Sequence, residues 1–135
     1  PALWSRAELE AELGWSLAQA RAAQPDALLL VSLHTGVEYR RAPTAAQRHL
    51  AAEAIAEGAS LVVFHHSHVV GAVEQVTGAW VAWGLGNWSF DQSREDTRAR
   101  VGLFVELEGS ATGWRLVEAR LQSFDAPRAR RASDP

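Results

Sequence analysis

Two apolar runs separated by a helical pattern constrain the fold of this chain more than any other feature. Ala27 to Leu33 is almost wholly apolar without alternation, and Ser60 to Phe64 repeats the pattern over a shorter stretch. Such runs are expected of strands covered on both faces, because a strand with one wet face alternates polar and apolar side chains. Between them, after the break at Pro43, Thr44-Ala45-Ala46-Gln47 reads as a capping box. Ala46, Leu50, Ala54 and Ile55 then supply the apolar face of a helix that closes near Gly58. Two strands joined through one helix make a βαβ unit, which implies parallel pairing and a right-handed crossover.

The flanks extend this α/β frame. Ser5-Arg6-Ala7-Glu8 is another capping box, and Leu9, Leu13 and Leu17 form the inward stripe of a helix reaching about Ala23. From Val69 the pattern changes. Val69 to Val76, a Thr77-Gly78 turn and Trp80 to Leu85 predict one hairpin; Val101 to Leu107 and Trp114 to Leu121 predict a second with alternating sides. Residues 1–126 read as part of one domain, and the arginine-rich, apolar-poor stretch 127–135 as a disordered tail.

Composition excludes several function classes. With 135 residues, 47% of them hydrophobic, the chain can bury a core, and a net charge of -3 argues against nucleic acid, whose backbone selects a basic face. The 13 basic residues are all arginine, as a GC-rich coding bias would produce. There is no cysteine, so any metal must be held by nitrogen and oxygen. No apolar run approaches the roughly 20 residues that span a bilayer. The chain starts at Pro1 and contains no methionine, which leads us to expect a fragment or a processed piece.

Chemistry concentrates in His65-His66-Ser67-His68, where three of the five histidines fall at the end of a predicted parallel strand. If the segment is extended, residues two apart point the same way, so His66 and His68 can share one site while His65 faces elsewhere. His34 occupies the corresponding end of the preceding strand, and ligands of open α/β sheets gather outside carboxyl strand ends. Imidazole suits zinc, iron, manganese and copper. The plainer alternative is a set of histidines that cap strand ends. His65 reads equally as substrate-facing or as packing, and His49, in the second helix, as a surface residue. Glu38 either orients an imidazole or pairs with Arg40 or Arg41. In Gly84-Leu85-Gly86-Asn87-Trp88-Ser89-Phe90-Asp91 the glycines permit close approach and Asn87 offers an amide. Trp80, Trp83 and Trp88 read as core, with a stacking surface as the alternative.

Three blocks in order, His34-Thr35-Gly36-Val37-Glu38-Tyr39, Phe64-His65-His66-Ser67-His68-Val69 and Trp83-Gly84-Leu85-Gly86-Asn87-Trp88-Ser89-Phe90-Asp91, resemble those of CapA-type proteins of the calcineurin-like metallophosphatase superfamily. The likeness is strong from about Ala27 to Gln92. Departures are Thr35 for tryptophan, Phe64 for glycine and Ser67 for proline, and the early aspartate and asparagine blocks have no counterpart. The resemblance implies the C-terminal half of an αββα sandwich, a βαβ unit followed by β-hairpins. It also implies two divalent ions in the complete site (manganese, iron or zinc), with His34, His66 and His68 as ligands and Glu38 and Asn87 assisting. A phosphoester or capsule-polymer substrate and an extracytoplasmic, membrane-anchored place in the bacterial envelope follow from the same likeness.

The resemblance leads to the expectation that this chain alone is inactive, and that a face normally covered by the other half associates. A non-catalytic part in an envelope assembly synthesising or exporting poly-gamma-glutamate is the competing function. A degraded gene product is the blandest.

Overall fold

Both capping boxes form. In this computed structural model, which describes residues 5–89, 92–111 and 113–124, the Ser5 amide donates to Glu8 Oε2 at 2.7 Å and the Glu8 amide to Ser5 Oγ at 3.3 Å. Helix α1 (Arg6–Ala23) follows, with Leu13 and Leu17 buried and Leu9 partly buried on its inner face. Helix α2 (Ala45–Ala56) starts at Thr44, whose amide donates to Gln47 Oε1 at 3.0 Å, while the Gln47 amide donates to Thr44 Oγ1 at 3.1 Å. Its buried residues are Gln47, Leu50, Ala51 and Ala54. The expected Ala46 is exposed instead, because Gln47 turns inward to serve the cap and to reach the loop after β1.

Strands β1 (Leu29–His34), β2 (Ala59–His65), β3 (Val73–Val76) and β4 (Ala79–Ala82) form one sheet in the order β1-β2-β4-β3. β1 and β4 run parallel to β2, and β3 is antiparallel to β4. The βαβ unit is thus present, as is the first hairpin, whose turn residues Thr77 and Gly78 have φ of 47° and 91°. Two positive values suit the tight turns that match the twist of paired strands. The first arm is shorter than expected: Val70 contributes only an isolated bridge to Leu85 before β3 begins.

Both helices pack on one face of the sheet over Leu29, Val31, Leu33, Val62, Phe64, Val81 and Trp83. On the other face lies the second hairpin, β5 (Val101–Ser110) and β6 (Gly113–Ser123), which encloses Leu61, Leu116 and Ala119 with Leu28, Val63, Val73, Trp80 and Leu103 around them. The described residues therefore form an α/β arrangement in three layers: helices, mixed sheet and hairpin.

Two expectations about exposure are corrected. β1 is not covered on both faces; its residues alternate buried and exposed, and Leu30 is 60% exposed. The strand lies at the edge of the sheet, and β6 packs chiefly on β2 and β3. The second hairpin, likewise, does not alternate along its length. From Phe104 to Ser110 every residue of β5 is exposed, because the hairpin runs out beyond the sheet it covers. Leu116 and Ala119, three apart, would face opposite ways in a regular strand. A register shift pairs Glu106 with Glu118 and Leu107 with Leu116, leaving Val117 as the extra residue of a bulge that turns both side chains to the core.

The three tryptophans do not share a surface. Trp83 is 3% exposed and stacks on Phe64 at 5.1 Å between centroids, Trp80 packs beneath the hairpin, and Trp88 is 60% exposed. His49 is on the surface as expected, with Nε2 3.2 Å from Glu10 Oε1. The predicted tail 127–135 and residues Phe90 and Asp91 lie outside the described residues.

Candidate functional site

The parallel register of β1 and β2 sets His34 directly beside His65. His65 is half-buried, and burial, reinforced by the neighbouring His34, holds its pKa below the ordinary value of 6.5. A neutral ring is therefore favoured at that position. His34 is exposed and its ring meets that of His66 edge-on, with centroids 5.2 Å apart. The rings of His66 and His68 are 6.3 Å apart. The imidazoles of positions 34, 66 and 68 thus gather at the carboxyl ends of two adjacent parallel strands.

They do so by a different route from the one strand alternation predicts. β2 ends at His65, and His66 and His68 have φ of 91° and 61°. Left-handed backbone at a residue with a full side chain costs of order 1–3 kcal/mol and persists only where its surroundings enforce it. Here the enforcement is visible. The intervening Ser67 is buried, its Oγ donates to the Val69 carbonyl at 3.1 Å, and its carbonyl accepts from the Tyr39 amide at 2.7 Å. Across the turn stands Gly84, where an added Cβ would lie 2.8 Å from both Ser67 Oγ and the Val69 carbonyl oxygen. The expectation that this glycine segment permits close approach is met, and the backbone it approaches is that of the histidine turn.

Asn87 is 8% exposed, and its Oδ1 lies 2.8 Å from His68 Nδ1. Its Nδ2 donates to Gln92 Oε1 at 3.4 Å, and Gln92 Nε2 donates to the Tyr39 hydroxyl at the same distance. The Tyr39 ring is 6.0 Å from that of His68 and carries the Arg94 guanidinium 4.3 Å from its centroid. Arg94 is held in turn by Asp96 through two hydrogen bonds of 3.0 and 2.7 Å. Glu38 is about half exposed, with Oε1 3.9 Å from His68 Nε2. That is ion-pair range and too long for a hydrogen bond. Gln47 Nε2 donates to the Thr35 carbonyl at 3.1 Å, so the α2 cap also fixes the loop that follows His34.

Imidazole nitrogen is the right donor type for zinc, manganese or iron. His34 and His66 are the nearer pair, their rings in edge-on contact at 5.2 Å. His68 stands farther off, tied to Asn87. Among the described residues no group of three or more His, Cys, Asp or Glu side chains is arranged to hold one ion. The donor chemistry is of the right type for a metal, while the described side chains do not converge on one point. Ser67, Tyr39, Gln47 and Gln92 were not foreseen as contributors. Tyr39 stood in a recognised block, but nothing in spacing pointed to Gln92.

Fold and site together define an α/β protein that carries a histidine cluster at its strand ends. Residues 4–92 match the family described as Bacterial capsule synthesis protein PGA_cap, and the chain belongs to that family. It is similar to the PGA biosynthesis protein CapA of Bacillus subtilis (strain 168), 35% identical over 86 residues that make up 64% of this chain and 23% of that protein. It is also similar to the Capsule biosynthesis protein CapA of Bacillus anthracis, 34% identical over 85 residues, 63% of this chain and 21% of that one. The matched part is thus less than a quarter of either relative. The CapA-type resemblance read from the three blocks is borne out.

Proposed function

We propose that the strand-end histidines are one side of a divalent-metal centre, with His34, His66 and His68 as nitrogen ligands, in a phosphoesterase or related hydrolase of bacterial capsule synthesis. The observation that carries this reading is the gathering of three imidazoles at the ends of two neighbouring parallel strands, His34 closing β1 and His66 and His68 in the turn after β2, where open α/β folds place their ligands. A bound divalent ion would polarise a phosphoryl oxygen and lower the pKa of its water. The chain's own residues then have distinct tasks. Asn87 orients His68; Glu38, an exposed carboxylate beside the same ring, offsets part of the cation's charge; His65, kept neutral by burial, faces substrate without competing charge. The substrate class is a phosphoester or the capsule polymer, poly-gamma-glutamate, and the place of action the bacterial envelope.

A second reading, a non-catalytic part in a polymer synthesis or export assembly, is favoured by one observation: the described side chains do not converge as three donors on one point. Calorimetric titration of the chain with zinc and with manganese separates the two. Saturable binding that weakens tenfold or more in His66→Ala, while His49→Ala is unaffected, supports the metal centre. Binding that is absent, or indifferent to His66, leaves the assembly role.

A further inference from the structure

Two loops meet beside the histidine turn, and they differ in charge from the rest of the chain. Residues 35–43 and 92–100 hold five arginines and three acidic residues, whereas the whole chain, with 13 basic and 16 acidic residues, has a net charge of -3. The loops join at Tyr39. Gln92 Nε2 is 3.4 Å from its hydroxyl, the His68 ring is 6.0 Å from its ring, and the Arg94 guanidinium carbon stands 4.3 Å from its centroid. One aromatic ring is thus shared by an imidazole of the candidate site and an arginine.

Arg94 is held in place. Its Nε and Nη2 donate to the two oxygens of Asp96 at 3.0 and 2.7 Å, and the Tyr39 ring lies under the guanidinium. Tyr39 is itself tied to the histidine turn, its amide donating to the Ser67 carbonyl at 2.7 Å. Two of the five N–H donors of the guanidinium are spent on Asp96. The other three, on Nη1 and Nη2, have no hydrogen-bond partner among the described residues, and the side chain is half exposed. That outer edge is the one that can take a carboxylate or phosphate through two parallel hydrogen bonds. Asp96 does not cancel the charge there. Its carboxyl is held below the ordinary value by its bonds to Arg94 and further by the charge of Arg41, so one carboxylate serves guanidiniums from both loops.

We infer that Arg94 is a specificity-determining residue of the histidine site: its outer edge receives an oxyanion, carboxylate or phosphate, of a substrate whose reacting group lies at the imidazoles. The substrate class is therefore a molecule with at least two anionic groups, one at the histidines and one at Arg94. The placing of the reacting group rests on the hydrolase reading above; the capture of an oxyanion by Arg94 does not. Prior fixing by Asp96 and Tyr39 favours the capture, because a mobile arginine would give up about 2 kcal/mol of rotamer freedom on binding.

NMR titration of the 15N-labelled, metal-free chain tests this at low ionic strength, where exposed charges are least screened. A γ-linked glutamate oligomer is the ligand in one series and inorganic pyrophosphate in the other. Saturable shifts of the Arg94 Nε–H and of the amides of residues 92–98 are expected with at least one of them, and the tighter ligand names the oxyanion. Arg94→Ala weakens that binding at least about fivefold, as the loss of charge-assisted hydrogen bonds requires. Arg94→Lys keeps the charge but gives up the fork, weakens binding at least about threefold, and serves if the alanine variant disturbs the loop. Arg48→Ala removes the same charge from the exposed side of α2 and leaves the affinity within about twofold. No saturable shift with either ligand, an affinity unchanged in both Arg94 variants, or an equal loss in Arg48→Ala overturns the inference. The zinc titration described above is read separately. Failure there, with Arg94-dependent binding here, removes the metal centre and keeps the anion subsite; the opposite pair of results removes the subsite and keeps the metal.

Discussion

Gly84 is packed so closely against Ser67 that a methyl group on its α-carbon would lie 2.8 Å from the serine Oγ. The second obstacle at that distance, the Val69 carbonyl, is backbone and cannot swing aside. Gly84→Ala must therefore push the β4 exit away from the histidine turn or break the Ser67 hydrogen bond. Overpacking of this kind costs about 1–3 kcal/mol. We expect that loss in chemical denaturation, together with amide shift changes at His66 and His68. An alanine variant of full stability with an undisturbed histidine turn would show that the close packing does not hold that turn.

Two tryptophans give opposite expectations for the same substitution. Trp83 donates from Nε1 to Glu74 Oε1 at 2.7 Å, stacks on Phe64 and lies beneath Arg48, so Trp83→Phe loses a charge-assisted hydrogen bond and costs about 1–2 kcal/mol. Trp80 Nε1 is buried and has no hydrogen-bond partner among the described residues. An unsatisfied buried donor carries a penalty of about 1–3 kcal/mol, and phenylalanine removes it while giving up part of the packed area. Trp80→Phe should stay within about 1 kcal/mol of the parent. The ordering of the two denaturation midpoints is the check, and Trp80→Phe proving the costlier change would contradict it.

Helix α1 should carry an acid-sensitive start. The Ser5 amide, and then its hydroxyl, hold the Glu8 carboxyl below its ordinary value of 4.5. Because the folded-state value is the lower one, the stabilisation is complete above the unfolded value and is lost as pH falls through the folded value. Glu8→Gln keeps an acceptor for the Ser5 amide and removes the titration. Amide exchange in the first turn of α1 should rise with acid in the parent and stay flatter in the glutamine variant. Identical acid profiles for the two proteins would rule out this origin.

The readable parts of this chain were those governed by local chemistry. Ser5 with Glu8 and Thr44 with Gln47 announce helix starts because the bonds they make are three residues long, and Leu13 and Leu17 announce a buried face through helical spacing. Strand exposure was less legible. Leu30 is as apolar as Val31, and only the position of β1 at the sheet edge decides that one is wet. At the site, the histidines were found by clustering and their rings do gather, but the extended backbone expected to bring them together is absent. A positive φ at His66 and His68 is imposed by the buried Ser67 between them together with Tyr39 and Gly84 from other segments, and histidine carries no local sign of it. Gln92 was invisible for the same reason, since its role exists only once three segments have met.

The last expectation concerns turnover. A centre that attacks phosphate needs its cations' charge partly neutralised and both attacking and leaving oxygens clamped. Imidazoles supply no negative charge, and the carboxylate placed beside the cluster, Glu38, is about half exposed and 3.9 Å from the ring it accompanies. Such a donor set can hold an ion without arranging a reaction. Even when saturated with manganese or zinc, the 135-residue chain should therefore hydrolyse a chromogenic phosphodiester no faster than its His66→Ala variant. Metal-dependent turnover clearly above that control would mean that these imidazoles and Glu38 make a more complete centre than their geometry implies.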